Sequence, residues 1–303
     1  MIANLMQPSE ISFKEITLCD KEIISTYLRQ DPFMISDVSF GNLFLWRLAR
    51  KIEFAIIHEC LVIKTTYPDK NPFVFFPIGA GDKHLCLQAL KHYCDFLAIP
   101  LEFHSIEQKN IAILRDVFGD IQPVFNRDRS DYIYLTKNLI SLSGRKYHKK
   151  KNHLNRFFEE YKGFSFEEID SNNLLELQTT WNLWSQNYTD EGLINEAEGI
   201  RSALQNYGQL DFKGGLLRFD STIIAFSFGE IISDTFCVIH IEKADINYRG
   251  AYQAINQQLL QHCFAHVTYV NREEDLGIEG LRKAKMSYNP ESILEKYEVI
   301  ITT

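Results

Sequence analysis

Cations gather in one short stretch of the chain. From Gly144 the sequence runs Gly-Arg-Lys-Tyr-His-Lys-Lys-Lys-Asn-His-Leu-Asn-Arg-Phe, which brings Arg145, Lys146, Lys149, Lys150, Lys151 and Arg156 together with no acid before Glu159. The spacing predicts a helix from about Gly144 with positive charge at its N-terminal end, where the helix dipole disfavours it. A phosphate would offset both charges. A solvated helix face joining two domains is the plain alternative. A second charged stretch starts at Asn271, just past a strand end, where polar side chains of an α/β layer face a cleft. It offers Asn271, Arg272 and Asp275 as substrate-binding groups, or an internal Arg272–Asp275 ion pair. The helix after it carries Arg282, Lys283 and Lys285, turned toward a phosphate or toward water. The third candidate is Arg249-Gly250-Ala251, a phosphate cradle at a helix start. Gly250 admits close backbone approach, Ala251 keeps the helix start small and Arg249 can meet an anion. Ordinary turn chemistry accounts for the same three residues.

These residues need elements to hold them. Glu53 to Ile57 and Cys60 to Thr66 read as paired strands, followed by a turn at Pro68 to Pro72 and a buried strand at Phe73 to Ile78. Gly79-Ala80-Gly81-Asp82 then opens a helix to Leu97 with Asp82 as N-cap. A short strand at Leu101 to His104 and a helix from Glu107 to Phe118 complete this half. The second half repeats the order. Gly215 to Phe219, Thr222 to Ile232 and Thr235 to Lys243 form a meander with tight turns at Asp220-Ser221 and Ser233-Asp234. A helix from Ala251 to His266, a strand at Val267 to Asn271, a helix from Ile278 to Met286 and a last strand near Glu298 to Ile301 follow. Phe73 to Ile78 and Phe236 to Ile241 hold matching places, which points to two copies of one α/β unit. Trp181, Trp184 and Tyr188 have helical spacing and read as core, or as a stacking platform for a ring.

Composition bounds the rest. With 303 residues, 45% hydrophobic and 24% charged, the chain lies in the globular range and is long enough for two cores. Its 32 Lys+Arg against 40 Asp+Glu give a net charge of -8, so any site for a polyanion must be local. No apolar run reaches the roughly 18 to 20 residues of a membrane helix, because Leu216 to Ile232 is broken by Arg218, Asp220 and Glu230. The first eight residues show no secretory pattern, and a cytoplasmic protein is expected. Six cysteines include no Cys-x-x-Cys pair. His262 and His266 have a chelating spacing but no third ligand nearby, so no metal site is expected.

The order of elements in the second half is that of the GNAT acyltransferase fold. The stretch from Val270 to Pro290, with the basic segment from Gly144 to Phe157, resembles the bacterial family related to the C-terminal domain of phosphatidylglycerol lysyltransferase. The likeness covers nearly the whole chain and extends to the Fem-type aminoacyltransferases. It implies an α/β (α+β) tandem duplicated GNAT-like fold with mixed sheets flanked by helices, divided as a silent domain at 1–135 and a working domain at 136–303. It implies a transferase that takes aminoacyl-tRNA or acyl-CoA as co-substrate and holds no permanent cofactor. The acceptor is an amine or hydroxyl, with tRNA as the partner. Within that resemblance Tyr288 is the candidate general acid, or a packed core tyrosine. Glu230, in the central hairpin, is the candidate base or amine-binding group, or an outward-facing strand residue. Arg249, Gly250 and Ala251 take the carrier's phosphate, and Lys146, Lys149, Lys150, Lys151, Asn271, Arg272, Asp275, Arg282 and Lys285 bind substrate. Acyl transfer needs no nucleophilic side chain, so the absence of a Ser/His/Asp set leaves the reading intact. A non-catalytic binding or regulatory module on the same fold is the alternative.

Overall fold

The structure, a computed structural model, describes residues 5–302. The first four residues, part of the stretch read for a secretory leader, lie outside the described residues. The chain divides into two compact units, one formed by Met1–Ser130 with Leu294–Thr303 and the other by Asp131–Ile293.

The first unit begins with the short strand β1 (Lys14–Glu15), then α1 (Lys21–Gln30) and α2 (Phe40–Trp46). The hairpin of β2 (Lys51–Ile57) and β3 (Cys60–Thr66) follows. Its turn residues His58 and Glu59 have φ of 47° and 59°, the left-handed pair that matches the twist of a two-residue hairpin. Of the expected strand at Phe73 to Ile78, only β4 (Phe73–Val74) is regular, with an isolated bridge from Ile78 back to Leu61. Helix α3 (Lys83–Phe96) starts where expected, with the Asp82 carboxylate accepting from the Leu85 N–H at 3.0 Å. After it come β5 (Leu101–Glu107), α4 (Ile111–Phe118) and β6 (Val124–Phe125). Ile57, Val62, Leu87, Leu90, Phe103 and Leu114 form part of the core between this sheet and α3 and α4.

The second unit opens with β7 (Asp131–Leu135), α5 (Thr136–Ser141), a 3-10 turn at Arg145–Tyr147 and α6 (His148–Glu160). Strand β8 (Ser165–Glu168) leads to the antiparallel helices α7 (Leu174–Ser185) and α8 (Glu191–Gln205). The meander is β9 (Phe212–Phe219), β10 (Thr222–Ser233) and β11 (Phe236–Ala244), and its first turn, Asp220-Ser221, has φ of 47° and 63° like that of the other unit. Helix α9 (Ala251–Cys263), β12 (Tyr269–Asn271), α10 (Glu279–Met286) and β13 (Ser292–Leu294) complete it. Ala254, Leu259 and Leu260 of α9 bury against Leu217, Ile224 and Val270 of the sheet, and each leucine, isoleucine or valine removed from water is worth ~1.5–3 kcal/mol. Trp181 is core: it is 1% exposed, donates to the Ala197 carbonyl at 3.1 Å and meets Phe226 edge-on at 5.7 Å.

The last strand, β14 (Lys296–Ile301), departs from the expected division at 1–135 and 136–303. It pairs with β5 and β6 of the first sheet, whose order is β1-β2-β3-β4-β5-β14-β6. The second sheet has the order β13-β7-β12-β11-β10-β9-β8. Read from its other edge, the sixth place falls to β7, which in chain order belongs with the first half. Each sheet is thus completed by the strand that chain order would give to the other. Sequence periodicity locates a strand but is silent on which sheet accepts it, since β14 is apolar on one face in either place.

Candidate functional site

In the second sheet, β11 and β12 run parallel through Phe236↔Tyr269, Cys237↔Val270 and Val238↔Asn271, and then separate. Past Asn271 the chain keeps its bonds to β7 instead: Arg272 N–H donates to the Tyr132 carbonyl at 3.0 Å, and Tyr132 N–H to the Glu273 carbonyl at 3.2 Å. Glu273, at φ 56°, turns the backbone there. A gap therefore opens between β11 and residues 272–273, and charged side chains span it. Arg272 Nη2 donates to both carboxylate oxygens of Glu242 at 3.0 Å, and His240 Nδ1 meets Glu273 at 2.7 Å.

Around Arg272 the charge does not balance. Glu242 also accepts from Asn256 Nδ2 of α9 at 3.0 Å, so the one carboxylate is shared. Among the described residues, the buried Arg272 Nη1 has no hydrogen-bond partner. The guanidinium lies 4.8 Å from the centre of the Tyr288 ring and 5.7 Å from that of Tyr134. Lys150 Nζ sits 4.2 Å from the centre of the same Tyr288 ring and pairs with no carboxylate among the described residues. Burial and the Arg272 charge push the Lys150 ammonium below its usual range, only partly countered by Glu242. Burial pushes the Tyr288 hydroxyl up to about 12 against the pull of Arg272, so it stays a proton donor at neutral pH. Two cations thus face one shared carboxylate beside a protonated phenol, a setting that takes an oxyanion.

Helix α6 explains how Lys150 arrives there. Tyr147, Lys150, Leu154, Phe157 and Tyr161 recur at three- and four-residue steps and form its inward stripe, all of them buried but Lys150, which is half-buried. Lys146, Lys149 and Lys151 are exposed, so the basic segment splits: one lysine turns in and the rest face water.

The other expected site residues are placed as follows. Asp275 accepts from Arg282 Nε at 2.9 Å and Nη2 at 2.7 Å, from Gly277 N–H at 2.9 Å and from the Tyr132 hydroxyl. Its pairing is with Arg282, and Arg272 pairs with Glu242, so the expected Arg272–Asp275 pair gives way to two others. Four donors use up the acceptor capacity of a carboxylate, and Asp275 is held ionised well below the usual range because they outweigh its burial. Asn271 is buried, donating to Asp131 at 2.8 Å and accepting from Glu273 N–H at 2.7 Å. Lys285 Nζ donates to the carbonyls of Arg272 and Glu273, which fixes the backbone of the turn. Arg249 is exposed, and its N–H donates to the Tyr161 hydroxyl at 3.1 Å. The Ala251 N–H bonds to the Tyr248 carbonyl at 3.1 Å. Gly250 has φ +90°, and a Cβ there would stand 2.9 Å from the His153 carbonyl of α6. This glycine lets two helices approach. Glu230 is buried and meets His240 Nε2 at 2.8 Å.

His240 escapes a reading of the sequence because it sits inside an apolar run, and Glu242 and Asn256 because nothing in their neighbours marks them off from ordinary polar residues of a strand end and a helix. One signal pointed to the first of them. Gly229 lies inside a strand, where glycine marks a bulge or close approach. Register passes from Phe228↔Ile241 to Gly229↔Ile239, so His240 is the extra residue of a β-bulge, and a Cβ on Gly229 would stand 2.1 Å from the Val238 carbonyl.

The corresponding place in the first unit lies past Val74↔Phe103, where β4 and β5 separate. A small cleft opens there, lined by Phe33, Ile35, Phe76 and Ile78 with Glu107 and Lys109. The helix-start loop beside it is occupied by the chain itself. Gly79 N–H donates to Asp31 at 3.4 Å and Ala80 N–H to Gln30 at 3.3 Å, while Lys83 pairs with Asp31 at 2.9 Å. Among the described residues no group of three or more His, Cys, Asp or Glu side chains is suited to hold a metal ion, and no helix is long and apolar enough to cross a membrane.

Two mixed sheets of like order, each with a meander, a helix-start loop and a parting parallel pair, define a tandem GNAT-like protein. The chain belongs to the family described as phosphatidylglycerol lysyltransferase, C-terminal, which matches residues 32–300. A conserved protein of unknown function from Bacteroides thetaiotaomicron is 34% identical, with a TM-score of 0.89, covering 96% of this chain and 100% of its own. The fold is shared with L-PGS from Bacillus licheniformis (17% identity, TM-score 0.64, 92% and 91% of the two chains). It is shared too with a tandem GNAT protein of the clavulanic acid pathway (8% identity, TM-score 0.52, 97% and 99%). A Mycoplasmoides gallisepticum protein is 28% identical over 181 residues, and the match spans 58% of this chain and 58% of that relative's length. Family and fold are acyltransferase-like.

Proposed function

We propose that the chain is an acyltransferase that moves an aminoacyl group from aminoacyl-tRNA, or an acyl group from acyl-CoA, to an amine or hydroxyl acceptor. The observation that carries this reading is the unbalanced positive charge of Lys150 and Arg272 beside the protonated Tyr288. Either donor brings phosphate oxyanions to such a place, and the Arg272 Nη1 left without a partner gains one. In transfer, the acceptor's nitrogen or oxygen attacks the carbonyl carbon. The bond to the donor's ribose oxygen or thiol sulfur breaks, the leaving atom takes a proton from Tyr288, and the proton that the acceptor loses on attack passes through solvent to restore the phenol. Glu230 is set aside as base, because its carboxylate faces a charged imidazole. The exposed Lys146, Lys149 and Lys151 favour the tRNA donor, since a nucleic acid extends beyond the inner pair of cations and a small carrier does not. The first unit is non-catalytic in this reading: the cleft at its own parting strands is mostly apolar, and its Lys109 is matched one to one by Glu107 at 2.9 Å.

Purified protein incubated with charged tRNAs and with acyl-CoAs, and with amine and hydroxyl acceptors followed by mass spectrometry, tests this. Transfer from one donor class is expected, reduced at least 100-fold in Tyr288→Phe. No transfer and no binding of either donor would leave the fold as a binding module.

A further inference from the structure

His240 lies outside the cluster just described and is a fully enclosed ionisable side chain near it. Its side chain is 0% exposed, with Glu230 on β10 at one ring nitrogen and Glu273 past β12 at the other, their side chains 10% and 17% exposed. Phe212 of β9 closes the remaining side, its ring centre 5.7 Å from that of the imidazole. Glu242, two residues along β11, is engaged by Arg272 and Asn256, and Lys285 caps the carbonyl of Glu273 from α10. The backbone goes to some length to put an imidazole here: His240 is the added residue of a bulge that only a glycine at position 229 permits. A neutral imidazole can donate from one nitrogen only, so two carboxylate contacts require the charged ring.

We propose that His240 is a positioning residue, a charged strut that crosses the gap between the parting strands and holds the turn at 271–277, and Arg272 with it, in place for an anion. The backbone follows directly. Glu273, tied to the ring through its carboxylate, is tied through its own N–H to Asn271 and through its carbonyl to Tyr132 and Lys285. Arg272 is the residue between. Burial alone would push the pKa of the ring down, but the two carboxylates outweigh it and raise it from 6.5 to about 9. The charged ring therefore persists above neutral pH and is lost as pH rises through about 9, while the stability it contributes is full only below about pH 6.5.

The inference deepens the transferase reading, and its test separates the two. In isotope-labelled protein, the amide signals of Glu273 and Gly277, followed by NMR from pH 6 to 10, are expected to shift together with one midpoint near 9. That midpoint should vanish in His240→Gln, with inorganic phosphate bound at least tenfold more weakly at pH 7 by calorimetry. Glu273→Gln, which keeps a hydrogen bond to the ring and removes one charge, carries the test should His240→Gln fail to fold, and should move the midpoint down by more than one pH unit. Amide signals in the turn that titrate alike in wild type and variants overturn the strut, whatever phosphate does. A turn that follows His240 in a protein that binds no phosphate upholds the strut and overturns the anion reading of Arg272.

Discussion

Lys150 occupies a place that its helix gives to apolar side chains. Between Tyr147 and Leu154 on the inward stripe of α6, a methionine or leucine would bury without cost, whereas the ammonium is driven below its usual range by burial and by Arg272. Such local disfavour persists where function needs it, and removing it stabilises a protein while abolishing the activity it served. Lys150→Met keeps the length of the side chain and deletes the charge. It is expected to leave the melting temperature unchanged or raise it by a few degrees, and to weaken phosphate or donor binding by tenfold or more, about 1.4 kcal/mol. Calorimetry and a thermal scan on the one variant check both halves. A lower melting temperature with binding intact would mean that Lys150 is packing, and the excess of positive charge would lose its role.

Helix α6 as an element divides the basic segment into two functions. The sequence placed six cations within twelve residues, but charge density does not say which face a side chain takes; the apolar stripe of Tyr147, Leu154, Phe157 and Tyr161 decides that, and it carries Lys150 inward. The outer lysines make a different prediction. If they track a tRNA backbone, changing Lys149 and Lys151 to Ala should reduce the slope of log affinity against log salt by about one to two units. Weakening should be of similar size for different tRNAs, because phosphate contacts carry little sequence information. Filter binding across a salt series measures this, and unchanged slopes would return the outer face to plain solvation. The same division runs through the rest of the site. Hydrophobic period and turn residues revealed α3, the meander, α9 and α10 within a few residues, because each element reports on its own local geometry. Arg272, Lys150 and Tyr288 were visible as candidates for their chemistry. Glu242, with which Arg272 pairs, and Asn256, which shares that carboxylate, were not, because strand parting and bulges are settled by pairing between segments distant in the chain.

At the scale of the molecule, the exchange of the sixth strands sets how the units depend on the chain. The second unit is continuous from Asp131 to Ile293 and owns a sheet completed by β7 at its own start. The first unit ends at Ser130 and waits for residues some 160 positions further on. Within it β14 supplies more than ladder bonds: Lys296 is fully buried and paired with Asp37, which also takes the Ser105 hydroxyl at 3.1 Å and faces Arg129 at 3.5 Å. These cations outweigh burial and hold the Asp37 carboxyl down at about 2. Without Lys296 that carboxylate keeps its burial and loses its nearest charge, and breaking a buried pair in this way costs ~3–5 kcal/mol. Such a loss is comparable to the whole stability of many domains. A fragment of residues 131–293 is therefore expected to melt cooperatively on its own, and one of residues 1–130 to lack a cooperative transition. Adding a peptide of residues 294–303 at millimolar concentration to the second fragment should restore a transition, and the same peptide with Lys296→Met should not restore it as far. Circular dichroism melts of the two fragments, with and without peptide, decide the matter: a cooperative melt of residues 1–130 alone would show that β14 merely decorates an already complete fold.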